Sequence, residues 1–238
     1  MRIQDILGPI RTLKHRLIGT SGSVPHRYFM KFLPDDPVII EAGAHNGGDT
    51  YETARRWPRG HVHAFEPVPE LYEAVKQQTS NVKNVSYYPI ALGGKNGTAE
   101  FFVSSGASDG SSSLLRPSGH LDEHPDVHFD RTLTVTVKTM DTWAAENNVS
   151  RVDFLWLDMQ GAEMAALKGA SKLLSTVKLI YTEVSLKPMY ENGPLYPEYR
   201  AWLEAQGFSV VREALASTDF GNVVFARTRN SASRPLGS

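Results

Sequence analysis

The sequence predicts an α/β protein on a doubly wound, mostly parallel seven-stranded sheet, with an antiparallel hairpin at one edge and an inserted β/lid segment. Three observations lead there. From Pro37 onward, short apolar runs alternate with stretches of helical periodicity. The runs are rich in Val, Ile and Leu rather than alternating with polar residues, as strands buried on both faces are. The first two end in glycine and carboxylate residues, at the place where such sheets take ligands.

Strands are expected at 38–41, 62–65, 85–90, 154–157, 179–182, 209–211 and 223–226, with helices at 49–57, 69–79, 163–175 and 196–206. Only a short segment separates the last two strands, which read as the edge hairpin. The middle breaks the alternation. Two further strands, 98–103 and 132–137, rich in Thr, Val and Phe, flank a polar stretch full of Gly, Ser and Pro. Loops of that length inside a domain are commonly functional lids, and 104–131 is read as a lid over the site. His120, His124 and His128 within it are expected to be solvent-exposed, because Pro125 breaks any helix that would align them.

The 238 residues fit one large domain. That domain is placed at 37–227, after an N-terminal helical extension (1–36) and before a tail (228–238) that lacks apolar periodicity and reads as disordered. With 25 basic and 26 acidic side chains the net charge is −1, which gives no electrostatic reason to expect nucleic acid as a partner. The absence of cysteine excludes disulfides, thiolate metal sites and a cysteine nucleophile. No apolar run approaches the roughly 20 residues of a membrane span, and Pro9 and Arg11 interrupt any signal-peptide core, so a cytoplasmic protein is expected. Ile3, Ile6, Leu7, Ile10, Leu13 and Leu17 recur at helical spacing among Arg2, Arg11, Lys14 and Arg16. Such a helix can rest on a membrane surface; packing on the domain or on a second subunit of a homo-oligomer is the stronger expectation.

The first strand runs into Glu41-Ala-Gly43-Ala-His45-Asn46-Gly47-Gly48-Asp49-Thr50, a glycine-rich turn leading into a helix. The second ends at Glu66-Pro67, where a carboxylate can accept hydrogen bonds from both ribose hydroxyls of an adenosine and would repel a 2′-phosphate. A dinucleotide fingerprint needs glycine where the backbone approaches the pyrophosphate, and that position here is His45. An imidazole there argues against NAD and suits a ligand without phosphate, such as S-adenosylmethionine, whose ammonium or sulfonium Glu41 would favour. The strand at 154–157 ends in Asp158 and the next carries Glu183, so carboxylates from several strand ends meet at one sheet edge. Glu163 opens the following helix, where its charge suits the positive end of the macrodipole. A divalent metal is not expected, because no histidine triad or short-range ligand spacing accompanies these carboxylates.

These residues resemble a family. Glu41-x-Gly43-x-x-x-Gly47, Phe65-Glu66-Pro67, Ser111-Ser112-Ser113-Leu114, Val137-Lys138-Thr139-Met140-Asp141-Thr142-Trp143 and Asp158-Met159-Gln160-Gly161-Ala162-Glu163 look like the motifs of FkbM-type S-adenosylmethionine-dependent methyltransferases, in that family's order, over about residues 37–227. The Asp158–Glu163 segment with Leu167-Lys168-Gly169-Ala170 is the most specific part. Gln160 departs from the pattern, which usually carries an acidic residue there, and Asn222 is a second departure. The resemblance implies a class I, Rossmann-like methyltransferase that uses S-adenosylmethionine, yields S-adenosylhomocysteine, and O-methylates a hydroxyl of a sugar, glycan or polyketide-type small molecule. Its cofactor residues would be Glu41, Gly43, His45, Asn46, Gly47, Asp49, Thr50, Glu66, Pro67, Ala91, Asp158 and Gln160, with Ser111, Ser112 and Ser113 on the lid side. Asp158, His45 and Glu183 are the candidates for a base, Asp158 first because its strand is expected beside the first one. The alternatives are an NAD-dependent oxidoreductase, which lacks the second glycine and a Tyr-x-x-x-Lys arrangement, and a non-catalytic cofactor-binding domain.

Overall fold

The computed structural model describes residues 23–215 and 218–228; the amphipathic pattern of 1–18 and the tail from 229 lie outside them. In chain order the elements are β1 (Val38–Ala42), α1 (Gly48–Arg56), β2 (His61–Phe65), α2 (Pro69–Gln78), β3 (Val85–Tyr88), β4 (Ala91–Leu92), β5 (Gly97–Gly106), α3 (Gly119–Glu123), β6 (Val127–Lys138), α4 (Met140–Glu146), β7 (Phe154–Leu157), α5 (Glu163–Lys168), β8 (Leu179–Ser185), α6 (Tyr196–Ala205), β9 (Phe208–Ala214) and β10 (Phe220–Arg227). The main sheet has the order β3–β2–β1–β7–β8–β10–β9. Strands β3, β2, β1, β7 and β8 are parallel, and β10 runs antiparallel to both β8 and β9. This is the mostly parallel sheet with an edge hairpin that the sequence predicts.

Alternate residues of the central strands serve opposite faces, as a strand's two-residue period demands. Ile40, Leu155, Ile180 and Phe225 join one buried cluster with Trp143 and Leu167, while Ile39, Phe154, Leu179 and Val224 join another. The second face is closed by Phe29, on a 3-10 turn (His26–Lys31), whose ring lies 5.1 Å from those of Phe154 and Tyr181. Burying that one ring contributes about 1.5–3 kcal/mol. At the N-terminal edge, the buried Asp153 carboxylate accepts the Val38 N–H (3.0 Å) and pairs with Lys178 (2.8 Å) and Arg151 (3.1 Å). The opposite, C-terminal edge stays open for a site.

Four sequence expectations need correction. The polar segment 104–131 is not one long loop. Strand β5 continues to Gly106, β6 begins at Val127, α3 stands between them, and with β4 they form a three-stranded sheet. Serine hydroxyls replace apolar packing here: Ser112 Oγ accepts the Ser104 N–H (2.9 Å), and Ser104 Oγ accepts that of Ser111 (2.9 Å). The third strand stops at Tyr88, after which Pro89 supplies no N–H and Ala91–Leu92 pairs with β6 instead. The helix expected over 163–175 ends at Lys168, because Gly169 packs so close to Gly93 that a Cβ would lie 2.5 Å from its carbonyl oxygen. Lastly, the Val137–Trp143 motif hides a helix start: Thr139 Oγ1 caps α4 by accepting the Thr142 N–H (3.1 Å). Among the described residues, no helix is long and apolar enough to cross a membrane.

Candidate active site

A cleft opens where β1, β2 and β7 end. Of the residues singled out in the sequence, Gly43, His45, Glu66, Pro67, Ala91, Ser112 and Asp158 line it. Phe65, Leu71, Ile90, Leu92, Phe101 and Leu114 add an apolar floor suited to a flat aromatic ring. Glu66 is 5% exposed, and its carboxylate is fixed in place: Oε2 accepts the His45 N–H and Oε1 the Val68 N–H, both at 2.9 Å. These two backbone bonds hold the carboxylate oriented at the cleft wall.

His45 occupies the left-handed region (φ 52°), and its Nε2 lies 2.8 Å from Asp109 Oδ1. That contact ties the glycine turn to the tip of the segment read as a lid, which covers the cleft with Asp109, Gly110 and Ser112. Only the tip is suited to opening. Ser113 is fully buried, exchanges backbone hydrogen bonds with Phe102 (2.8 and 3.0 Å) and donates its hydroxyl to the Gln160 carbonyl (2.8 Å). Hydrogen exchange should therefore be fast at 108–110 without ligand and slow with S-adenosylhomocysteine, while Ser111 and Ser113 stay protected throughout. Equal protection at 108–110 in both states would show that the tip does not open.

The other cofactor candidates lie behind this lining. Asn46 Oδ1 accepts the Gly48 N–H (3.1 Å) and shapes the start of α1, while Gly47 faces α2, where a Cβ would come 2.8 Å from the Val75 Cα. Asp49 and Thr50 form the first turn of α1 next to Glu41. Glu41 is buried with its Oε2 unpartnered, and burial, then the charges of Asp49 and Asp158, push its carboxyl well above the usual range. A buried carboxylate oxygen without a donor is the place for a cation.

Asp158 lies at the end of β7, the neighbour of β1, as expected. Gln160 (φ 55°) donates through Nε2 to Asp158 Oδ1 (2.8 Å) and to Glu183 Oε2 (2.6 Å), so the carboxylates of two strand ends share one amide. Glu163 Oε1 accepts the Met159 N–H (2.7 Å), and with its own and the Gly161 backbone N–H also beside its carboxyl it braces the loop that carries Asp158 and Gln160 at the start of α5. Burial pushes this carboxyl up to about 7. The folded chain then holds a proton that the unfolded chain releases between about pH 4.5 and 7, so raising the pH through that window removes stability. Glu163→Gln keeps an acceptor for Met159 and abolishes the loss. Its melting temperature should gain on the wild type's between pH 5 and 8; a constant difference would show that Glu163 titrates normally. No group of three or more His, Cys, Asp or Glu among the described residues could hold a metal ion.

Residues 41–210 match the family model of the methyltransferase FkbM domain. The chain belongs to the FkbM methyltransferase family. It is 30% identical to the 2-O-methyltransferase NoeI of Sinorhizobium fredii over 179 residues, covering 73% of this chain and 74% of NoeI. It is also 23% identical to the methyltransferase sdnD of Sordaria araneosa, over 79% of this chain and 80% of sdnD. In fold it resembles the N-terminal domain of EvdMO1, solved with S-adenosylhomocysteine bound (TM-score 0.50, 14% identity, 96% of this chain and 98% of that one).

Within this FkbM fold, the histidines of the inserted segment are corrected as well. His120 is 2% exposed, walled in by Tyr190, Phe129 and Phe220, and burial, then the neighbouring His124, push its imidazole down to about 4. His124 is half-buried, and only His128 is exposed. Of the three serines, Ser112 alone reaches the cleft; the Ser111 carbonyl accepts the Tyr190 hydroxyl (2.8 Å). Asp109 and the apolar lining at Ile90 and Phe101 were missed from the sequence. An Asp-Gly pair signals a turn. It does not tell that the turn folds back onto His45.

Proposed function

We propose that this FkbM methyltransferase binds S-adenosylmethionine in the cleft and O-methylates a hydroxyl of a small neutral acceptor, a sugar, glycan or polyketide-type molecule, in the cytoplasm. The observation that carries the reading is the position of Asp158, which lines the cofactor cleft on one side and meets Glu183 through Gln160 on the other. A carboxylate placed there can take the acceptor's proton as the methyl group arrives. The residues fit the cofactor. The apolar floor accommodates adenine, the oriented Glu66 carboxylate takes the ribose hydroxyls, and the buried, unpartnered Glu41 Oε2 suits the ammonium. When bound, S-adenosylmethionine supplies a sulfonium methyl group. The protein aligns the acceptor oxygen, excludes water and holds the proton on Asp158. NoeI, a 2-O-methyltransferase, supports transfer to oxygen. The dinucleotide alternative is disfavoured by His45, whose ring stands on Asp109 where a pyrophosphate needs bare backbone.

Incubation with S-adenosylmethionine carrying a labelled methyl group and a panel of methyl glycosides and hydroxylated macrolactones tests the reading. An O-methyl ether is the expected product, and label found only on nitrogen or carbon, or none, would overturn it. Glu66→Ala should weaken S-adenosylhomocysteine binding by about 1–3 kcal/mol, roughly 5- to 150-fold in calorimetry. Unchanged affinity in a folded variant would remove Glu66 from the ribose site.

A further inference from the structure

The base in such a site needs its carboxylate aimed at the acceptor. Glu183 on β8, Glu163 on α5 and Glu41 on β1 are the carboxyl groups around Asp158, Asp49 on α1 lies beside Glu41, and Tyr181 and Tyr190 stand next to them. Gln160 stands at the centre of this group. A carboxylate oxygen can only accept, so the amide must turn its NH2 toward Asp158 and Glu183. Its Oε1 then faces the Tyr190 hydroxyl (3.1 Å), whose one proton is shared between that oxygen and the Ser111 carbonyl (2.8 Å). The same residue's carbonyl accepts the Ser113 hydroxyl, so the buried root of the inserted segment holds its backbone. Gln160 is 7% exposed and does not line the cleft, which sets it behind the cofactor surface, where it acts through its neighbours.

We propose that Gln160 is a positioning residue that clamps Asp158 and Glu183 through one amide, beside Tyr190, and keeps Asp158 aimed for proton removal from the acceptor. This rests on the O-methyltransferase reading for its catalytic meaning, while the clamp itself can be observed without turnover. In Gln160→Met the side chain keeps its length and loses both donors. With the best methyl glycoside of the panel as acceptor, kcat should fall 10- to 100-fold with the acceptor KM changed less than about threefold, and the acidic limb of the pH–kcat profile should move up by about one unit. Tyr190→Phe should move the same limb in the same direction by less. A purely structural role would lower the melting temperature and leave the limb in place, and that outcome overturns the proposal. Side-chain amide NMR separates the two readings. The Gln160 NH2 protons should be far downfield in the wild type, one of them returning upfield in Asp158→Asn and the other in Glu183→Gln. If the wild type transfers no methyl group yet shows this pattern, the enzymatic reading fails and the clamp stands. Gln160 protons that are insensitive to both variants overturn the clamp whatever the activity.

Discussion

Gly43→Val should cost the protein its cofactor site and a large part of its stability together. Gly43 has φ +83°, a left-handed conformation that costs residues with a Cβ about 1–2 kcal/mol. The larger penalty comes from its neighbour. A Cβ on Gly43 would lie 1.9 Å from the carbonyl oxygen of Asp158. The obstacle is backbone, so it yields only if the ends of β1 and β7 separate, which opens the cleft at its floor. Strain and overpacking together amount to roughly 2–6 kcal/mol, and a domain of this size loses about 2–4 °C per kcal/mol. Calorimetry should therefore find a melting temperature lower by roughly 5–20 °C and no measurable binding of S-adenosylhomocysteine. Gly43→Ala meets the same carbonyl and should lie nearly as low. Retained binding in either variant would move the cofactor away from this turn.

Gly43 also shows what a sequence discloses. That a glycine is needed between a strand and a helix is local information, written in the turn itself. That the needed space is filled by Asp158, more than a hundred residues later, depends on β7 lying beside β1. The central strands were legible because burial on both faces leaves a continuous Val/Ile/Leu signature that few other structures share. The inserted segment was not. Its serines pair with one another, so Ser104, Ser111 and Ser112 look like a solvated loop while forming the rim of a sheet. His120 misled for a similar reason: a polar side chain gives no sign of burial when its wall joins nearby Phe129 to Tyr190 and Phe220 from two distant stretches. Of the cleft lining, Glu66 and the glycine turn were legible. The Asp109 contact, the Gln160 clamp and the apolar floor were not, since each joins residues from separate elements at distances that no spacing encodes.

Asp158→Asn should lower turnover by two to four orders of magnitude and change the dissociation constant of S-adenosylhomocysteine only a few-fold. The structure gives a reason to expect this separation. An asparagine can turn its Oδ1 toward the Gln160 Nε2, so the contact now made at 2.8 Å survives the substitution, and with it the link to Glu183. The fold around Gly43 is also spared, because the Asp158 atom that packs there is the main-chain oxygen. What disappears is basicity, and single-turnover methyl transfer at saturating cofactor isolates it. A collapse of affinity in step with turnover would assign Asp158 to cofactor binding, with Glu41 as its partner across the β1–β7 seam. Turnover and affinity that both stay near the wild type would pass the proton to His45 or Glu183. His45→Ala decides between those two. His45 lines the cleft and is held by Asp109, whereas Glu183 lies beyond Gln160 and does not line it. A base at His45 would therefore lose the rate in both His45→Ala and Asp109→Ala, and a base at Glu183 in neither.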